Sequence, residues 1–468
     1  MANGWMDMAS NLSVGTNVVT GQESYFGEVK LTPEQIGLVN ASPQFRSQLF
    51  DYGSDVSSGN MDPMSRGKDI ATYFDGRHIV VGQYQHSTMS DASVLGHLSH
   101  EIGHYENRAN DKAFKSQYAV NPRDPQAYNV AALTGAHQEG EAVANNFQIQ
   151  QEIQKSTATE NAPGTQIEVS GLPGLQEKLD ALHAVDVGAG KSNAEDRNNL
   201  IVAGMNAYVN ANPSTATGKS YYQYYGEGSR APAPETGSIK QVEFTGDEQG
   251  DINSMTEHWA SGDVGTQTFS RGKIQTAELA DAHGELTSTA AYSYAKDGAY
   301  SVDVRNGAGR ETERAEFNAD RSGTVRDYAS DNSSQATSFD AKNRNTQIAQ
   351  FDGKGEKIEA NYIVPETGKF AVQDRKSTDG GRTVSNYDAE GRVRAQFQYD
   401  RDGQPVLSRD LDENGKDTFL VEYHKDGSRT VATVNADGSE TAHIVDRNGM
   451  RGKDVTLQPP KEAGAAKA

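Results

Sequence analysis

The chain reads as two folds in series: an α+β N-terminal part, then an all-β C-terminal domain of antiparallel hairpin repeats. Three observations predict this. Apolar residues recur at helical spacing through residues 31–225, broken by one short hairpin pattern. Residues 226–237, containing Ala231-Pro232-Ala233-Pro234, have the composition of a linker. Beyond them, turn glycines return at a near-constant interval. A chain of 468 residues is also long for one core, and two or three domains are expected.

Residues 1–30 carry little periodicity and are expected to be loosely ordered. Short helices are expected near residues 33–39 and 43–51. Residues 69–74, the turn Asp75-Gly76 and residues 77–82 read as a β-hairpin, because Asp-Gly suits a tight turn between alternating segments. A helix starting near Asp91 or Ser93 follows, with Val94, Leu95, Leu98 and Ile102 at helical spacing. A second long helix covers Gly135 to about Ile153, with Ala142, Val143, Phe147 and Ile149 apolar. Helices near residues 175–185 and 194–210 are punctuated by Leu172-Pro173-Gly174 and Asn212-Pro213.

The chemistry is concentrated in His100-Glu101-Ile102-Gly103-His104. On a helix the two histidines of H-E-x-x-H leave one face at i and i+4 and can grip one ion, with Glu101 placed to reach a water on it. A catalytic zinc site takes three protein ligands and keeps a position for water. Glu141 on the second helix is the chosen third ligand, with Glu139 and His137 as rivals within one turn. His97 is read as a core or supporting histidine, since a fourth protein ligand would close the site. Six of the 11 histidines (His78, His86, His97, His100, His104 and His137) fall within about sixty residues, as a local site would require.

H-E-x-x-H, a spacer of a few dozen residues and a helical Glu together resemble the gluzincin metallopeptidases. The resemblance implies a zincin-like domain over residues 31–225, with zinc on His100, His104 and Glu141. Glu101 would act as the base that activates water. The family places an acidic residue four positions after the third ligand to orient a histidine; here Asn145 stands there and could accept an imidazole N–H. The metzincin pattern fits badly, because Asn107 and Asn110 replace the required Gly and His. Zincin domains also lay the substrate along a strand before the active-site helix, which points to His78, Ile79, Val80 and Val81. His183 and the run Tyr221-Tyr222-Gln223-Tyr224-Tyr225 are the candidates for stabilising the oxyanion, although that run also reads as a strand or a surface patch.

Between residues 238 and 457, glycines recur at Gly391, Gly403, Gly415, Gly427, Gly438 and Gly449, at spacings of 12, 12, 12, 11 and 11. Weaker turns at Gly298, Gly323, Gly355, Gly368 and Gly380 extend the period upstream. Alternating polar strands lie between, giving an antiparallel meander or hairpin stack. Tyr387-Asp388-Ala389-Glu390-Gly391-Arg392 and Tyr399-Asp400-Arg401-Asp402-Gly403-Gln404 resemble the YD-repeat (Rhs-type) arrays of bacterial surface and toxin proteins. That resemblance covers roughly residues 285–457. The plainest role for such a polar β-repeat module is a scaffold, and the sharper one is docking, delivery or shielding. Residues 458–468 read as a disordered tail.

The formal net charge of −21 argues against nucleic acid and anionic membranes as partners. No apolar run approaches the ~20 residues of a membrane span. There is no cysteine, so neither disulfides nor thiolate ligands enter. The first residues lack a basic and an apolar region of an ordinary signal peptide. The expected function is hydrolysis of peptide bonds in a protein substrate by a bacterial effector or toxin. It would be moved by a specialised secretion machine into a target cell or its periplasm, with an immunity, chaperone or machine partner. A zinc-dependent peptidoglycan amidase or endopeptidase is the alternative within enzymes. A non-enzymatic β-repeat protein with a closed structural zinc site is the alternative outside them.

Overall fold

The computed structural model describes residues 18–68, 71–82, 90–169, 172–211, 218–229, 239–435 and 438–457. Residues 230–237 of the expected linker, the tail, the Asn212-Pro213 stop and His86 lie outside these residues, whereas Gly226 and Glu227, read as linker, end a helix instead. The chain divides into two compact units, residues 1–287 and 288–468.

The first unit is helical around its centre. Helix α1 (Pro33–Ala41) begins in a capping box, in which Thr32 and Gln35 exchange side-chain and backbone bonds. Helix α2 (Pro43–Ser57) starts on Ser42, whose hydroxyl accepts from Phe45 N. A three-stranded sheet follows, in the order β1 (Ser65–Arg66), β3 (Ile79–Val81), β2 (Tyr73–Phe74). The expected hairpin is β2–β3, turning through Gly76 at φ 91°. Helix α3 (Asp91–Gln117), capped by Ser90, carries the histidine motif, and α4 (Ala127–Thr157) packs along it.

Residues 18–30 are more ordered than their sequence suggests. Val19, Tyr25, Phe26 and Val29 are buried in one core with Phe45, Leu49, Tyr52, Leu95, Leu98 and Ile102. Tyr25 lies against Gly53, where an added Cβ would meet its ring at 2.4 Å. Few apolar residues suffice here because the aromatic ones are large and fully used.

Glycines set the helix spacing. A Cβ on Gly103 would come within 3.0 Å of Ala142 Cα, and one on Gly140 within 2.4 Å of the Ile201 carbonyl oxygen. Helix α4 is therefore pressed against both α3 and α6 (Asn193–Val209), with α5 (Leu175–Gly188) beside α6.

Strands β4 (Ile239–Gly246), β5 (Ile252–Trp259), β6 (Val264–Ser270) and β7 (Lys273–Ala280) form an antiparallel ladder. They belong with the helices rather than with the later repeats, although the sequence divides the chain at the linker. The reason is polar as well as apolar. Asn206 accepts from Phe244 N (2.7 Å) and donates to its carbonyl (3.0 Å); Asn210 does the same with Val242 (2.7 and 2.6 Å). Four residues of helix advance about 6.0 Å and two of strand about 6.8 Å, so the two amides match the repeat of the strand edge.

The second unit is an antiparallel meander running from β8 (Leu286–Tyr294) to β22 (Val455–Leu457), each strand pairing with the next. The turns follow one design. In the turn at Asp388, Gly391 N donates to Asp388 O (3.0 Å) and Asp388 N to Arg392 O (2.9 Å). Gly391 sits at φ 88°. The loop thus has three residues closed by a left-handed glycine, rather than two. Asp388 Oδ1 accepts from Glu390 N and Arg392 N, and Asp400, Asp412 and Asp446 repeat this. Gly323 is a correction. It lies in a strand, against the Glu316 carbonyl, and Arg321 takes the positive φ of that turn.

Candidate metal centre

His100 and His104 leave the same face of α3, their rings 4.8 Å apart and perpendicular. The carboxylate that joins them is Glu139. Its Oε2 lies 3.3 Å from His100 Nε2 and 3.6 Å from His104 Nε2. These three residues are the one potential metal-holding group of three or more among the described residues. Ligand bonds of about 2.1 Å in a tetrahedron put donors roughly 3.4 Å apart, so this spacing fits a zinc-sized ion. His100 and Glu139 are buried, and His104 is 18% exposed at its side chain.

Glu141, the sequence choice for third ligand, points elsewhere. Its Oε2 is 2.5 Å from Arg197 on α6, and its Oε1 is 3.9 Å from His137 Nε2. Residues two apart on a helix are about 200° apart around its axis, so only one of Glu139 and Glu141 can face the histidines. Both are buried, because α4 is enclosed on several sides. His137 stacks on Phe114 at 3.6 Å, with Asp111 3.8 Å from its Nδ1.

Asn145 does not support an imidazole. It accepts from Gln44 and Gln48 and donates to the Ser99 carbonyl, tying α4 to α2 and α3. The expected substrate strand is also revised. Val80 pairs with Ser65 on one side and Tyr73 on the other, so β3 is the middle strand and offers no free edge. His78 instead pairs with Asp75 at 2.9 Å. The edge strands of the sheet are β1 and β2, and on the β2 side Phe74 N donates to Glu101 Oε2 at 2.8 Å.

Charges in the group oppose burial. Burial alone would raise the Glu139 pKa, but His104 and His100 hold it well below the usual carboxylate range. Burial alone would lower that of His104, but the charge and hydrogen bond of Glu139 and the nearby Glu101 lift it to about 9. Glu101, with weaker partners, is pushed up by burial against the pull of His100 and His104. Burial and the neighbouring His100 lower His97.

Two tyrosines complete the surroundings. Tyr208 of α6 stacks on His100 at 5.4 Å, with its hydroxyl 3.5 Å from His100 Nε2. The tyrosine run forms a helix, α7 (Tyr221–Glu227), rather than a strand. Its Tyr225 donates to Glu139 Oε1. His183 is bound to Asp196 at 2.9 Å and packs against Phe147. Tyr208 and the Phe74 amide had no local sequence signal, since a lone helical Tyr and a backbone N–H are unmarked.

No family model matches the chain, and no curated protein matches it. Solved structures resemble it only in part. S. aureus TarM, in a complex with fondaparinux and UDP, shares 16% identity over 23% of this chain and 21% of its own, with a TM-score of 0.19. The TcdB2-TccC3 structure shares 9% over 48% and 15%, with a TM-score of 0.20. A protein of unknown function from Bacteroides caccae shares 14% over 39% and 69%, with a TM-score of 0.13. The chain spans about a fifth or less of the first two of these.

Proposed function

We propose that His100, His104 and Glu139 hold a catalytic zinc ion, and that the chain hydrolyses peptide bonds in a protein substrate. The observation that carries this is a buried group of three donors at ligand spacing with Glu101 beside it and outside it. Zinc bound there would supply a water of pKa near ~7 and a Lewis acid for the substrate carbonyl.

The remaining steps belong to the chain. Glu101, held by the Phe74 amide, takes the proton of the attacking water and returns it to the leaving amine. The Tyr208 hydroxyl is positioned beside His100 as a donor to the carbonyl oxygen as charge builds there. A closed structural site would need a fourth protein donor. The group has three members, and the nearby His137 is held against Phe114 instead. We read the chain as an effector of the secreted bacterial type, from its resemblance to YD-repeat proteins.

The test is hydrolysis of a protein panel, and of peptidoglycan, by zinc-loaded protein and its Glu101→Gln variant. Wild type should cleave proteins, and the variant should keep zinc and fold while losing about 10²–10⁴-fold in rate. Cleavage of peptidoglycan alone would move the substrate to the cell wall. Equal rates in both forms would overturn the role of Glu101.

A further inference from the structure

Helix α7 is only seven residues long, yet it is fastened to α4 at three points. The Tyr225 ring lies over Gly135, where an added Cβ would stand 2.1 Å from it. Gly226 lies against Tyr128, with a Cβ there 2.3 Å from the ring. The Tyr222 hydroxyl sits between Asn129 Oδ1 (2.6 Å) and Glu257 Oε1, in a buried network that Gln267 completes. Two glycines and a buried polar anchor thus serve to bring one short helix onto α4.

That placement delivers a single hydroxyl to a single oxygen. Glu139 Oε2 faces the two histidines, and Oε1 receives Tyr225. A carboxylate with one oxygen committed to a donor can offer only the other, in one orientation. Groups that orient metal ligands in this way are typically worth 10–100-fold in metal affinity.

We infer that α7 is a clamp on the metal centre, with Tyr225 as the positioning residue that fixes Glu139 and Tyr222 as its anchor on Asn129 and Glu257. The inference rests on the zinc reading of the site. It predicts that metal retention is controlled from a helix that contributes no ligand. Tyr221 and Tyr224 have no such part: Tyr221 packs on Tyr208, and Tyr224 is half exposed.

The test is zinc affinity, measured by competition with a chromophoric chelator on the full chain, with the visible spectrum of the cobalt-substituted protein as a second readout. Tyr225→Phe should weaken zinc binding about 10–100-fold and alter the cobalt bands, because the carboxylate is freed to change its mode of binding. Tyr222→Phe keeps the Tyr225 hydroxyl but loosens its helix, and should weaken binding by a smaller factor. Tyr224→Phe should match wild type. Zinc bound by wild type, lost in Glu139→Ala and undisturbed in affinity and cobalt spectrum by Tyr225→Phe and Tyr222→Phe would overturn the clamp alone. Failure of wild type to bind zinc would overturn the metal centre and the clamp together.

Discussion

Phe74 donates its backbone amide to Glu101 Oε2 at 2.8 Å, so the outer edge of a two-residue strand orients the residue placed to act as base. The opposite edge of β2 pairs with Ile79 and Val80. The amide that reaches Glu101 therefore takes no part in the sheet ladder.

Phe74→Pro should remove that one donor without breaking a β2–β3 bond. Hydrolysis should fall about tenfold, matching a charge-assisted bond worth ~1.5 kcal/mol, while zinc content is unchanged. Phe74→Ala retains the amide and should stay near wild type. Steady-state rates on one cleaved protein substrate, with zinc measured in the same samples, check both.

Elemental analysis separates the two glutamates of α4. His104→Ala and Glu139→Ala should lose most of about one zinc per chain, since two ligands hold the ion poorly. Glu141→Ala should keep it, because Glu141 is engaged with Arg197. Retention in Glu139→Ala with loss in Glu141→Ala would return the third ligand to the sequence choice.

Glu106 on α3 is pushed up from 4.5 to about 7, first by burial and then by Asp51 and Asp55 against Arg108. The folded chain thus holds a proton there that the unfolded chain releases between about pH 4.5 and 7. Its stabilising contribution is present below 4.5 and is lost as pH rises through 7. Glu106→Gln should therefore be more stable than wild type at pH 8, by about 1–2 kcal/mol after allowing for partial exposure, and equal to it near pH 4.5. Urea unfolding at the two pH values measures the difference.

One substitution should act with opposite signs at two helical glycines. Gly140→Ala must push α4 away from the Ile201 carbonyl and should cost about 1–3 kcal/mol. Gly37 in α1 has open space at that position, and Gly37→Ala should stabilise by about 0.5–1 kcal/mol. Thermal unfolding of both variants reads the contrast.

Much of this architecture was legible because it rests on local periodicity. The six longer helices start within three residues of their expected positions, except α4, which begins eight residues earlier, at Ala127, with a buried first turn of Ala127, Tyr128, Asn129 and Val130. The repeat glycines from Gly391 to Gly449 all take positive φ, because a left-handed position selects for Gly. What escaped depends on how elements meet. Glu139 and Glu141 are the same residue type on the same helix, and only the crossing of α3 and α4 distinguishes them. The tyrosine run has the aromatic content of a strand, yet the capping box of Ser220 and Gln223 starts a helix. The strand assigned to substrate became an inner strand because β1, of only two residues, is too short to read.

The asparagine pair of α6 has a consequence for the behaviour of the protein in bulk. Asn206 and Asn210 occupy the outward amides and carbonyls of Phe244 and Val242, the groups through which a bare strand recruits another chain. Two side chains on a helix thus guard this stretch of backbone against aggregation, a task that a charged or bulged edge strand performs elsewhere.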